Sequence, residues 1–129
     1  MNVDISVAAD IYRRHTDMAI ANSPDIRVKA KLFRGLADPS RLSILEALRD
    51  GAKNVSEIVE ITGLTQPNTS MHLACLWECG LVDRKRNGRF AFYSIQSERF
   101  SRVLEVADAV LDEVSCRVAE CKRFRGVDE

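Results

Sequence analysis

The sequence predicts a mainly α-helical chain of the α+β class that carries a two-stranded hairpin. Three observations predict it. Apolar residues recur at helical spacing through residues 24–79 and again from Phe100 onward. Boundary residues stand at the ends of those stretches: Asp38-Pro39, Gly63, Thr65-Gln66-Pro67 and Gly80. Between Leu81 and Ile95 the period changes from 3.6 to 2 around Asn87-Gly88, the strongest short-range hairpin signal.

Taken in order, the opening segment Ile5 to Ile20 reads as a weakly patterned helix. Ser23-Pro24-Asp25 starts an amphipathic stretch with Ile26, Ala30, Phe33 and Leu36 at helical spacing. Asp38 is an N-cap followed by proline at the first helical position, where a missing N–H costs nothing. Leu42, Ile44, Leu45 and Leu48 then form an apolar stripe that runs to the stop signal Asp50-Gly51. A short helix with Val55, Ile58, Val59 and Ile61 ends at Gly63, and Thr65 caps a further one from Gln66 to about Cys79. After the hairpin, a long helix places Phe100, Val103, Leu104, Ala107, Val110, Leu111 and Val114 on one face. The whole reads as one domain, 1–129. An N-terminal helix covers 1–22, the core covers 24–96, and a C-terminal helix with its tail covers 97–121.

The length of 129 residues suits one domain, and 46% hydrophobic with 29% charged residues excludes a disordered chain. No apolar run is long enough to span a bilayer, and Asp4, Asp10, Arg13, Arg14 and Asp17 interrupt any secretory core in the first twenty residues. The chain is expected to be cytoplasmic, with no membrane partner and no small organic substrate. Nineteen basic and nineteen acidic residues cancel, but not locally. Residues 84–89 hold Arg84, Lys85, Arg86 and Arg89 and no acid, whereas residues 98–120 hold six acids and three bases.

Two helices joined by Thr62-Gly63-Leu64-Thr65, followed by a hairpin, have the outline of a winged helix-turn-helix. Gln66, Asn68, Thr69 and Ser70 fall on the first turn of the second helix, where such proteins reach base edges. Gln and Asn can pair bidentately with adenine, while Ser and Thr serve bases or phosphates. The competing reading is that these polar residues only cap a surface helix. Arg84, Lys85, Arg86 and Arg89 suit phosphate contact or entry into a minor groove, or else protect an exposed sheet edge.

Four cysteines in a reducing compartment ask for a metal or redox explanation. Cys75 and Cys79, spaced i,i+4, lie about 5–6 Å apart at Cβ. Two thiolates at that spacing can converge on one soft or borderline ion, and the geometry is poor for an intrahelical disulfide. Cys116 and Cys121 are the available completion. Buried, inert cysteine is the alternative for each one singly. His72, on the same helical face as both cysteines, is either a further ligand or a structural hydrogen-bonding group. His15 reads as a solvent or interface residue, and Trp77 as core or dimer packing.

Leu36-Ala37-Asp38-Pro39-Ser40-Arg41-Leu42-Ser43-Ile44-Leu45 resembles the entry helix of the ArsR/SmtB metal-responsive repressors. Leu64-Thr65-Gln66-Pro67-Asn68-Thr69-Ser70-Met71-His72-Leu73 resembles their recognition segment, and Gly80-Leu81-Val82, Gly88-Arg89 and Tyr93 fall in their wing. The resemblance covers roughly residues 30–96 and implies a homodimer that binds double-stranded operator DNA. Asn54 to Glu60 lacks the cysteine motif many members carry there, and the last helix lacks the histidines of the zinc-binding members. What remains resembles the cadmium- and lead-sensing CmtR branch, in which two recognition-helix cysteines join a C-terminal cysteine of the other protomer. Cys75 and Cys79 match the first two; the third falls between Cys116 and Cys121. The implied function is repression by the metal-free dimer and release by cadmium or lead, with zinc and mercury as further candidates. The rival within DNA binding is a thiol-redox repressor. A small thiol enzyme or metal carrier is the rival outside it, but no Cys-x-x-Cys pair, phosphate loop or nucleophile–base set supports catalysis.

Overall fold

A computed structural model describes residues 19–122. The expected helix from Ile5, apart from its last residues, lies outside them, as does His15. The described residues fall into two units divided between Leu36 and Ala37.

In the first unit a single 3-10 turn, Ile20–Asn22, precedes helix α1, Pro24–Leu36. The Ser23 hydroxyl accepts the Ile26 N–H at 3.2 Å, so the expected opening signal is a working cap. Val28, Leu32 and Phe33 are exposed, and α1 contributes no buried residue between Pro24 and Leu36. The sequence pattern assigns 24–96 to one core; the helix 24–36 instead belongs to the first unit.

The second unit contains α2 (Pro39–Ala47), β1 (Lys53–Asn54), α3 (Val55–Thr62), α4 (Gln66–Glu78), β2 (Val82–Asn87), β3 (Phe90–Ile95) and α5 (Glu98–Glu120). Asp38 caps α2 by accepting the Arg41 N–H at 3.0 Å. The helix stops at Ala47, before the Asp50-Gly51 signal, because its last turns tighten: Leu48 N–H bonds to Leu45 O and Arg49 N–H to Glu46 O. Asn54 and Glu57 form a reciprocal capping box at the start of α3. Ile44 and Leu45 of α2, Leu48 at its C-cap, Ile58 of α3, Leu73 and Leu76 of α4, Val82 and Tyr93 of the hairpin, and Phe100 and Leu104 of α5 form the core. Each such side chain removed from water stabilises the fold by roughly 1.5–3 kcal/mol. Arg49 donates to Glu46 at 2.9 Å and to Asp108 of α5 at 2.7 Å, tying the exit of α2 to the last helix.

The sheet has three antiparallel strands in the order β1-β3-β2, not two, because Lys53 and Asn54 pair with Tyr93 and Phe92. A strand of two residues shows no alternation and exists only through its partner. The turn also falls one residue later than Asn87-Gly88: Asn87 pairs with Phe90, and Gly88-Arg89 form the loop. Gly88 has φ of 65°, and no residue other than glycine has positive φ among those described. A positive φ at the first loop position alone is the type II′ pattern, which takes glycine there, whereas a turn centred on Asn-Gly needs positive φ at both.

Candidate nucleic-acid interface and thiolate pair

The turn into α4 is fastened by side chains the sequence supplies locally. The Thr62 hydroxyl donates to Ile58 O at 2.8 Å and accepts the Leu64 N–H at 3.3 Å, and Gly63 takes φ of 75°. The Thr65 hydroxyl accepts the Asn68 N–H at 3.2 Å, and Pro67 sits in the first turn, where it needs no donor. At about 100° per residue, Gln66, Pro67, Ser70, Met71 and Ala74 share one side of α4, and all five are exposed. Thr69, His72, Leu73 and Leu76 share the other and are buried.

This division separates the four polar residues of the first turn. Gln66 and Ser70 face outward, and Asn68 is half-exposed at the margin. Thr69 is fully buried, and its hydroxyl donates to Thr65 O at 2.8 Å. It has no surface to offer a base; its hydrogen bond serves the cap. His72 is also buried, and it lies near enough to Asp38 to help lower that carboxyl's pKa. The backbone N–H of Arg41 is the leading cause of that shift, with the Arg41 charge adding to it. Met71 is the converse case: a large apolar side chain that is 61% exposed on the outward arc. Its i,i+4 spacing from the exposed Pro67 was the signal that could have found it.

On the wing, Arg84, Lys85, Arg86 and Arg89 are all exposed. Lys85, Arg86 and Arg89 crowd the tip of the hairpin. Arg84 lies further down β2, its guanidinium 4.2 Å from the centre of the Trp77 ring, a cation–π distance. Trp77 is therefore not a core residue; it is an exposed ring on α4 with an arginine of the wing laid over it.

The C-terminal end of α4 closes in a Schellman arrangement. Leu81 N–H bonds to Leu76 O and Gly80 N–H to Trp77 O, both at 3.0 Å, with Gly80 at φ of 77°. Cys79 is the C-cap, and its N–H bonds to Cys75 O at 3.0 Å, so the two cysteines keep true i,i+4 geometry. Cys75 is half-buried and Cys79 exposed, and no disulfide joins any of the four cysteines. Cys116 is exposed on α5. Cys121 lies just past its end, in extended backbone with ψ of 105°. The change in backbone at Cys121 means that no rigid helical spacing relates it to Cys116. Among the described residues no group of three His, Cys, Asp or Glu comes together for a metal, so one chain brings together Cys75 and Cys79 but neither His72 nor a C-terminal cysteine with them.

A capped helix with an exposed polar face, preceded by a tight turn and followed by a cationic hairpin, defines a winged-helix DNA-binding protein. The family model for the bacterial regulatory proteins of the arsR family matches residues 38–84. The probable mercury resistance operon repressor of Streptomyces lividans is 35% identical over 100 residues, covering 78% of this chain and 80% of that protein. The HTH-type transcriptional regulator CmtR of Mycobacterium tuberculosis is 42% identical over 83 residues, 64% of this chain and 70% of the relative. A solution structure of a homodimeric winged helix-turn-helix DNA-binding domain from Mycobacterium bovis superposes with a TM-score of 0.65 at 28% identity, covering 76% of this chain and 91% of that one. The chain belongs to the ArsR family of transcriptional regulators: it is a DNA-binding repressor, and the family is not one of enzymes. Among the described residues no helix is long and apolar enough to cross a membrane.

Proposed function

We propose that this repressor is a homodimer released from its operator by a thiophilic metal ion bound at Cys75 and Cys79. The observation that carries the reading is the position of this pair, one turn apart at the accessible end of the helix whose other end presents Gln66 and Ser70. Thiolates favour soft and borderline ions, so cadmium and lead fit the donors, as do zinc and mercury. A relative named as a mercury operon repressor supports the same chemistry. Two sulfurs leave a coordination shell incomplete, and one chain assembles no third ligand among the described residues. The remaining thiolate is supplied by Cys116 or Cys121 of the partner subunit.

Dimerisation rests on two exposed apolar helix faces. Val28, Leu32 and Phe33 of α1 and Val103, Val106, Val110 and Leu111 of α5 are uncovered. The homodimeric Mycobacterium bovis neighbour supports the same assembly, and winged helix-turn-helix repressors read paired half-sites as dimers. In the metal-free dimer, Gln66, Asn68 and Ser70 contact base edges while Lys85, Arg86 and Arg89 neutralise phosphates. The metal supplies charge neutralisation and a fixed link between thiolates. A link anchored at the C-terminal end of α4 favours one orientation of that helix, and the two half-sites require another. The coupling is reciprocal: operator DNA must weaken metal binding by the same factor.

A DNA mobility-shift titration with cadmium, lead, zinc and hydrogen peroxide, each from the same metal-free reduced protein, tests this. Cadmium or lead is expected to release the operator from the wild type and not from a Cys75→Ser, Cys79→Ser variant. Undiminished release of that variant by cadmium would sink the site, and release by peroxide alone would replace the metal with thiol oxidation.

A further inference from the structure

We infer that Met71 is a specificity-determining residue, its thioether side chain packing against the 5-methyl group of a thymine in each operator half-site. Three observations carry this. Met71 is 61% exposed, whereas Leu73 and Leu76 are buried and the other large exposed apolar side chain of α4, Trp77, is covered by Arg84. It stands on the same outward arc as Gln66 and Ser70, within two turns of the helix start. Finally, α4 carries no lysine or arginine, and the outward chemistry of its first two turns is confined to an amide, a hydroxyl and apolar groups.

The major groove narrows the choice of partner. Its floor displays hydrogen-bond donors and acceptors and one apolar group, the thymine methyl. A thioether has no strong donor or acceptor to satisfy the former, and its contact with the methyl removes apolar surface on both sides from water. The unbranched methionine side chain adjusts to the groove through three rotatable bonds. Ala74, one turn on along the same arc, is small enough to let the helix approach closely.

The inference rests on the reading that α4 enters the major groove and is independent of the metal site. The test uses the full-length, reduced, metal-free protein. Operators are selected in vitro from random duplexes, and each half-site thymine is then replaced by deoxyuridine, which deletes only the methyl. Affinity is read by fluorescence anisotropy. For the wild type, one thymine position per half-site is expected at which uracil weakens binding by about fourfold per half-site, the effect of one buried methyl. Met71→Ala is expected to bind the thymine and uracil duplexes alike, at the weakened level, whereas Met71→Leu keeps a preference for thymine. The proposal is overturned if no thymine position responds in the wild type, or if Met71→Ala still discriminates. Gln66→Ala and Ser70→Ala separate the two levels of the argument. If both bind like the wild type, α4 does not enter the groove. If both weaken and the uracil effect is absent, only the assignment of Met71 falls.

Discussion

At its N-terminal end α4 is closed by hydroxyls: Thr65 accepts the Asn68 N–H, and the buried Thr69 hydroxyl returns to Thr65 O. At its C-terminal end it is closed by backbone alone, through the left-handed Gly80 and the bonds from Gly80 and Leu81 back to Trp77 and Leu76. The first device uses up polar side chains and leaves Gln66 and Ser70 clear on the outward arc. The second uses none, so the side chains of Cys75, Trp77 and Cys79 take no part in the cap. One rigid helix thus presents hydrogen-bonding groups at one end and sulfur at the other. On the proposed function, an ion bound at the sulfur acts on the same body that reads the operator.

Substitutions in the middle of α4 and at its ends separate these two roles. Leu73 lies fully buried between the two ends, and Leu73→Ala is expected to cost about 2–5 kcal/mol. Thermal denaturation would show the loss, and DNA and metal binding should fail together as the helix loses its seat. Thr65→Ala removes only the N-terminal cap, about 1 kcal/mol. It should weaken operator binding while the cadmium–thiolate absorbance at Cys75 and Cys79 persists; loss of that absorbance would mean the two ends do not act separately.

Arg84→Gln removes the cation over Trp77, an interaction of about 0.5–1 kcal/mol at an exposed site. The emission of Trp77, the chain's one tryptophan, is expected to shift. The salt dependence of DNA binding should change less than in Arg86→Gln, where loss of a phosphate contact lowers the slope by about 1. An unchanged emission would place the ring elsewhere in solution.

The smallest effect is at the cap of α2. The Arg41 N–H, with the Arg41 charge and His72 nearby, holds the Asp38 carboxyl below its ordinary 3.8. A carboxyl depressed in the folded state stabilises it above the unfolded value, and that contribution is lost as pH falls through the lowered one. Denaturation midpoints between pH 5 and pH 2 should therefore fall slightly less steeply for Asp38→Asn, which keeps a capping oxygen without titrating.

Much of this was legible in the residues. Asp38-Pro39, Thr65 and Pro67, Gly63 and Gly80 marked helix ends because each satisfies or avoids an orphaned backbone group wherever it occurs. The i,i+4 spacing of Cys75 and Cys79 likewise needed no tertiary information. Other features were not legible because another segment creates them. Lys53-Asn54 became a strand only beside β3. Thr69, polar and in the first turn, was drawn inside because its hydroxyl could be satisfied by Thr65 O, which removes the usual penalty on burying it. Arg84 settled over Trp77, which lies seven positions earlier but on a different element.

By itself, then, the sequence determined where helices begin and end, the presence of a cationic hairpin and the pairing of two thiols on one turn, since these depend on neighbours within four or five positions. Only the tertiary structure decided which side of α4 faces outward, and so which of its residues can meet DNA. That side is whatever the packing of Leu73 and Leu76 against the core leaves uncovered, a property of the surrounding helices rather than of α4.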